Sequence, residues 1–164
     1  MKKWIIALFV VVVVAAVAWR LKPRPMRGAP PVMPVHLDPK VVAEIGAAYA
    51  KDVQPIFKRS CMDCHSGDTV WPWYHSIPGV RQYLDGHVED GRHDLELGKG
   101  FPFNTDVPLP RHLRRIGFVV KDGKMPLWDY ALMHKDARLS EADKAVIVKW
   151  AEDGFQRLSA TAKD

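Results

Sequence analysis

Apolar positions recur every three or four residues through most of the chain beyond position 38, the period of helices with one buried face. Asp38 before Pro39 makes an N-cap with proline in the first turn, and Val41, Val42, Ile45, Ala48 and Tyr49 follow at helical spacing. Asp52 and Pro55 restart that pattern, which Val53, Ile56 and Phe57 carry as far as Cys61. A second stripe of Ile77, Val80, Leu84 and Val88 predicts a helix from Ile77 to Val88. A third is predicted from Leu109 to Val120, opened by Pro108 and Pro110 and carrying Arg111, Arg114 and Arg115. The last helix is the best delimited. Ser140 and Asp143 form a capping box, Ala142, Val146 and Trp150 run along one face, and Gly154 is the expected stop. No segment alternates with the two-residue period of a strand, so the expected class is all-α. Long loops from Ser66 to Ser76 and from Arg92 to Pro108 predict a thin apolar core, with something other than side chains filling the middle.

The first twenty residues break the amphipathic pattern. Lys2 and Lys3 precede an uncharged run from Trp4 to Trp19, the layout of a secretory signal. As a helix this run spans only ~24 Å, short of a ~30 Å hydrocarbon core. Trp4 and Trp19 suit the headgroup region of a retained anchor, whereas Ala16-Val17-Ala18 reads as a cleavage site. Residues 1–20 are therefore a signal peptide or a transmembrane anchor, and either one implies export. Arg20, Lys22, Arg24 and Arg27 would lie on the exported side, against the usual charge bias of an anchor. Residues 21–37, with Pro23, Pro25, Pro30, Pro31 and Pro34, form an extended proline-rich linker, and residues 38–158 form the domain proper.

The 164 residues are 48% hydrophobic, enough for a single domain. Twenty-four Lys+Arg against 19 Asp+Glu give a net charge of +5, too weak to argue for a nucleic-acid partner. The only two cysteines are Cys61 and Cys64, so neither a disulfide scaffold nor a Cys-only zinc site can be built.

Those two cysteines open Cys61-Met62-Asp63-Cys64-His65, the C-x-x-C-H signature of covalent haem attachment. Two thiols three positions apart on a helical turn can reach the two vinyl groups of one haem, and His65 then projects its imidazole onto the iron. A thioredoxin-like pair would need a βαβ setting, and zinc would need a second ligand pair downstream. A structural disulfide is the remaining alternative. Haem is attached in this way outside the cytoplasm, so motif and export signal agree, and the expected location is periplasmic.

The sixth iron position is expected to be filled by Met125 in Gly123-Lys124-Met125-Pro126, where glycine allows a turn and proline restrains the loop. His134 and Met133 are the rivals, followed by His75, His87 and His112, while His36 and His93 read as solvated. A thioether ligand raises the potential relative to two imidazoles and favours electron transfer over ligand chemistry. Trp71-Pro72-Trp73-Tyr74 and Trp128-Asp129-Tyr130 supply flat side chains for a haem crevice, with Trp71, Trp73 and Trp128 as candidate haem contacts. Arg81 and Arg92 are candidates for propionate pairing, and Arg111, Arg114 and Arg115 for docking an acidic redox partner, set against solvated surface arginines.

Cys61-x-x-Cys64-His65-Ser66, Thr69-x-Trp71-Pro72-Trp73-Tyr74, Gly91-Arg92, Met125-Pro126-x-Trp128-x-Tyr130-x-Leu132-x-His134 and Ala137-Arg138-Leu139-Ser140 together resemble the haem-binding domain family of small bacterial c-type cytochromes. The resemblance runs from about Val41 to Gly154. It implies a cytochrome c-like helical fold wrapped around one haem c, held by Cys61, Cys64 and His65, with the Met125-Pro126 position as the distal ligand. The expected role is a mono-haem electron carrier working with redox partner proteins and tethered to the inner membrane if the N-terminal segment is retained. No acid–base constellation marks an enzyme. The alternative is a haem sensor or peroxidase-like protein with an open or displaceable sixth position.

Overall fold

The computed structural model describes residues 37–103 and 107–161, all within the unit Met33–Asp164. The expected signal or anchor, residues 1–20, and nearly all of the linker lie outside the described residues. Among those described there is no strand, and no helix is long and apolar enough to cross a membrane.

Helix α1 (Pro39–Ala48) starts at the predicted cap, where the Asp38 carboxylate accepts from the Lys40 N–H at 2.8 Å. It runs into a π-turn (Tyr49–Val53) and then α2 (Gln54–Ser60). The predicted restart at Pro55 is this widened turn. Proline has no N–H, and its ring would clash with a carbonyl four residues back in a regular helix. The turn instead lets the Gln54 N–H bond to the Tyr49 carbonyl. A single turn, α3 (Met62–His65), follows, then a 3-10 turn (Trp73–Ser76), α4 (Val80–Asp94), α5 (Leu109–Lys121), α6 (Trp128–Met133), a 3-10 turn (Lys135–Ala137) and α7 (Glu141–Thr161).

Three expectations need correction. Helix α4 begins at Val80, not Ile77, because Gly79 takes φ 88°, outside helical geometry, and the helix continues to Asp94. Gly154 does not stop the last helix. It lies inside α7, where a Cβ would sit 2.9 Å from Leu113 and 3.4 Å from Ile45, so it is glycine for close packing. The core is not thin. Ile45, Val53, Leu97, Leu113, Ile116, Ile147 and Leu158 are buried in one cluster with Tyr49, Phe57, Phe103 and Trp150. Each such aliphatic side chain contributes about 1.5–3 kcal/mol by leaving water.

The most extensive helix pairing is α5 on α7, with α1 and the π-turn laid across α7. Tyr49 is the hub of the aromatic part, 5.8 Å from Phe57, 5.3 Å from Phe103 and 5.5 Å from Trp150 between ring centroids. The Trp150 indole N–H donates to the Ile45 carbonyl at 3.1 Å, which ties α7 to α1. At the start of α7 the Ser140 hydroxyl accepts from the Asp143 N–H at 3.1 Å while the Asp143 carboxylate takes the Ser140 N–H at 2.9 Å, the predicted capping box.

Candidate functional site

The Cys61–His65 turn, where attachment is expected, is held from several sides. The Cys64 and His65 N–H groups both bond to the Cys61 carbonyl, at 3.2 and 3.0 Å, closing the turn that puts both thiols and the imidazole on one segment. The thiols are free and not bridged to each other. Burial, followed by the neighbouring Cys64, pushes the Cys61 thiol up to about 12, against the opposing pull of Arg59. Burial raises Cys64 too, with the Asp63 and Asp129 carboxylates adding to it. The His65 Nδ1 lies 3.0 Å from the Leu95 carbonyl. A carbonyl only accepts, so Nδ1 is the donor here and Nε2 is the ring nitrogen left for another partner.

Two contacts that sequence reasoning missed fix this turn in the fold. Gly91 of α4 lies so close to α3 that a Cβ there would be 2.6 Å from the Cys64 carbonyl oxygen. Asp63, between the two cysteines, is a hub. Its carboxylate accepts from the Tyr130 hydroxyl at 2.7 Å and the Val70 N–H at 3.3 Å, and its carbonyl from the Thr69 hydroxyl at 2.8 Å. The only sequence signal for these bonds was the presence of Thr69 and Tyr130 among the motif positions.

Beside Cys64 opens an apolar cleft of about 180 Å³, framed by the 69–74 segment, α4 and α6. Cys64 and Trp71 line it, together with Tyr74, His87, Tyr130 and His134. Cys61, His65 and Met125 do not, so the cleft flanks the Cys64 edge of the motif. Trp73 and Trp128 lie outside its lining and are 78% and 77% exposed. Met125 is half-buried after the Gly123 turn that ends α5, its N–H bonded to the Val119 carbonyl at 3.2 Å.

The remaining candidates find other settings. His75 meets Asp85 at 2.7 Å and stacks on Trp71 with centroids 4.0 Å apart. His112 is buried on α5, and burial, with Arg115 adding to it, holds its pKa below the usual imidazole value. His93 is exposed, as expected, and His36 lies outside the described residues. Arg81, Arg92 and Arg115 pair with Asp85, Glu96 and Asp94 at 3.6, 2.8 and 2.6 Å.

The donor set suits a covalently bound haem. Two unbridged thiols share a turn with an imidazole whose Nδ1–H is anchored on a backbone carbonyl, the outer-shell bond that orients an iron-binding histidine. Among the described residues no cluster of three or more His, Cys, Asp or Glu could hold a metal ion on protein ligands alone. The model of the family described as "Haem-binding domain" matches residues 33–153. The chain belongs to this family. This haem-binding domain is also 28% identical over 102 residues to the cytochrome c peroxidase Ccp of Escherichia coli (strain K12). That match covers 57% of the present chain but only 20% of the peroxidase, so the chain spans about a fifth of its relative. No solved structure matches.

Proposed function

We propose that this haem-binding domain is a mono-haem c-type cytochrome that carries single electrons in the periplasm, tethered by its N-terminal segment if that segment is retained. Cys61 and Cys64 would hold the haem through thioethers, with His65 on one side of the iron and Met125 on the other. When bound, the haem supplies a one-electron ferric/ferrous couple. The chain's residues supply the rest. Leu95 orients His65, Asp63 and Gly91 fix the attachment turn, and Trp71, Trp73 and Trp128 are the proposed aromatic cover.

The observation that carries this reading is the His65 Nδ1 bond to the Leu95 carbonyl on a turn with two free thiols. A thioredoxin-like or disulfide role gives no reason for the anchored imidazole. The test is expression of the full chain in a host that matures c-type cytochromes. The expected result is protein that keeps its haem through a denaturing gel. Colourless protein with both thiols free to alkylation refutes it.

The similarity to a cytochrome c peroxidase supports a second reading, in which the sixth position opens to peroxide. Reduced-state spectra with and without carbon monoxide separate the two. An unchanged spectrum supports the carrier, and prompt binding supports the peroxidase-like protein.

A further inference from the structure

Charge is spread unevenly along this chain. Six of the 24 Lys and Arg precede residue 37, where there is no Asp or Glu, so the rest of the chain carries 18 against 19 acidic residues and is close to neutral. Its cations nevertheless concentrate on α5. From Val107 to Lys121 there is no carboxylate, and Arg111, Arg114, Arg115 and Lys121 all fall on the exposed face of the helix. No residue of α5 lines the cleft beside Cys64, so this face is separate from the haem site.

The middle of the face is aromatic. Phe118 is 55% exposed, whereas Leu109, Leu113, Ile116 and Val120 of the same helix are buried in the core. The Lys124 ammonium lies 4.5 Å from the Phe118 ring centroid, and Arg114 and Arg115 sit one turn before it. Arg115, Lys121 and Lys124 hold Asp94, Glu152 and Asp122 at 2.6, 3.4 and 2.9 Å. Arg111 and Arg114 have no carboxylate partner among the described residues. Both guanidiniums therefore keep their donor forks for an acceptor from outside.

An exposed aromatic ring beside unpaired arginines has the make-up of a protein–protein hot spot, in which the ring fills a socket and each guanidinium takes a carboxylate. A bilayer is disfavoured, because an interfacial helix buries a whole apolar face in the lipid, and α5 turns only Phe118 outward. We infer that this face of α5 docks an acidic protein, with Phe118 in an apolar socket and Arg111 and Arg114 on Asp or Glu at its rim. Opposite charges steer the encounter, and the buried ring slows release. Nothing in this docking depends on the haem.

The full chain carrying Phe118→p-benzoylphenylalanine, irradiated in the cells that make it, should form an adduct with one acidic protein, joined at a peptide rich in Asp and Glu. Adding Arg111→Glu with Arg114→Glu should cut the yield at least tenfold. Lys40→Glu with Lys51→Glu, an equal change of charge on exposed positions of α1 and the π-turn, should leave it within twofold. The captured protein, once purified, should bind Phe118→Ser at least tenfold more weakly than the wild-type chain. Its binding to the wild-type chain should also weaken at least tenfold between about 50 and about 500 mM salt. Where a variant loses helicity by circular dichroism, that salt dependence decides alone. Adducts with lipid only, no protein adduct, a partner without carboxylates at the joined peptide, equal loss in the lysine pair, or salt-insensitive binding overturns the inference.

Discussion

Gly91 and Gly86 lie on the same helix, α4, and make opposite predictions for the same substitution. Alanine in a helix interior is favoured over glycine by about 0.5–1 kcal/mol. At Gly86 nothing lies within 4 Å of an added Cβ, so Gly86→Ala should realise that gain. At Gly91 the added carbon would lie 2.6 Å from the Cys64 carbonyl oxygen and 3.2 Å from its carbon. These are backbone atoms and cannot rotate away, so α4 must back off from the attachment turn. Overpacking of this kind costs about 1–3 kcal/mol. Leu95, whose carbonyl holds His65, follows directly on the end of that helix with its N–H on the Gly91 carbonyl at 2.9 Å, and losing the His65 bond adds about 1 kcal/mol. Set against the helical gain, Gly91→Ala should destabilise by about 2 kcal/mol. In urea, with a slope of roughly 1–3 kcal/mol per molar, the midpoint should fall by about 1 M, while Gly86→Ala should raise it slightly. Equilibrium unfolding of both holoproteins, followed by far-UV circular dichroism, reads this directly. Midpoints that move in the same direction would refute the idea that α4 is pressed against the turn at Gly91.

Other outcomes follow from the same geometry. Cys61→Ser with Cys64→Ser should abolish covalent haem, seen as loss of the haem mass in the intact-protein spectrum. Met125→Ala should keep the haem but lower the reduction potential in a redox titration, and an unchanged potential removes Met125 from the iron. Ser140→Ala should cost about 1 kcal/mol of stability in the same urea assay, the usual worth of an N-cap. Asp143 is held below the usual carboxylate range, chiefly by the Ser140 hydroxyl, with the Ser140 N–H and Arg59 adding and burial opposing. A carboxylate whose folded pKa is depressed stabilises the fold above its unfolded value, near 3.9, and loses that contribution as pH falls through the folded value. Stability measured downward from pH 5 should therefore fall less steeply in Asp143→Asn than in the wild type.

Much of this protein was legible as sequence because it is local. The all-helical class, the caps at Asp38 and at Ser140 with Asp143, and the span of α5 follow from periodicity and short-range hydrogen bonding within a few residues of each signal. The attachment motif is local too, since two thiols and an imidazole within five positions need only one helical turn. The chain could not reveal what depends on distant segments meeting. Gly154 has the form of a helix stop and becomes a packing residue only because Leu113 and Ile45 arrive against it. The predicted thin core was wrong because helical stripes do not disclose how closely α5 and α7 interdigitate. The anchoring of His65 by Leu95, the Asp63 hub and the two-histidine cleft join positions thirty to seventy residues apart. Hydrogen bonds and packing act over a few ångströms of space, so only the tertiary structure could decide which residues those were.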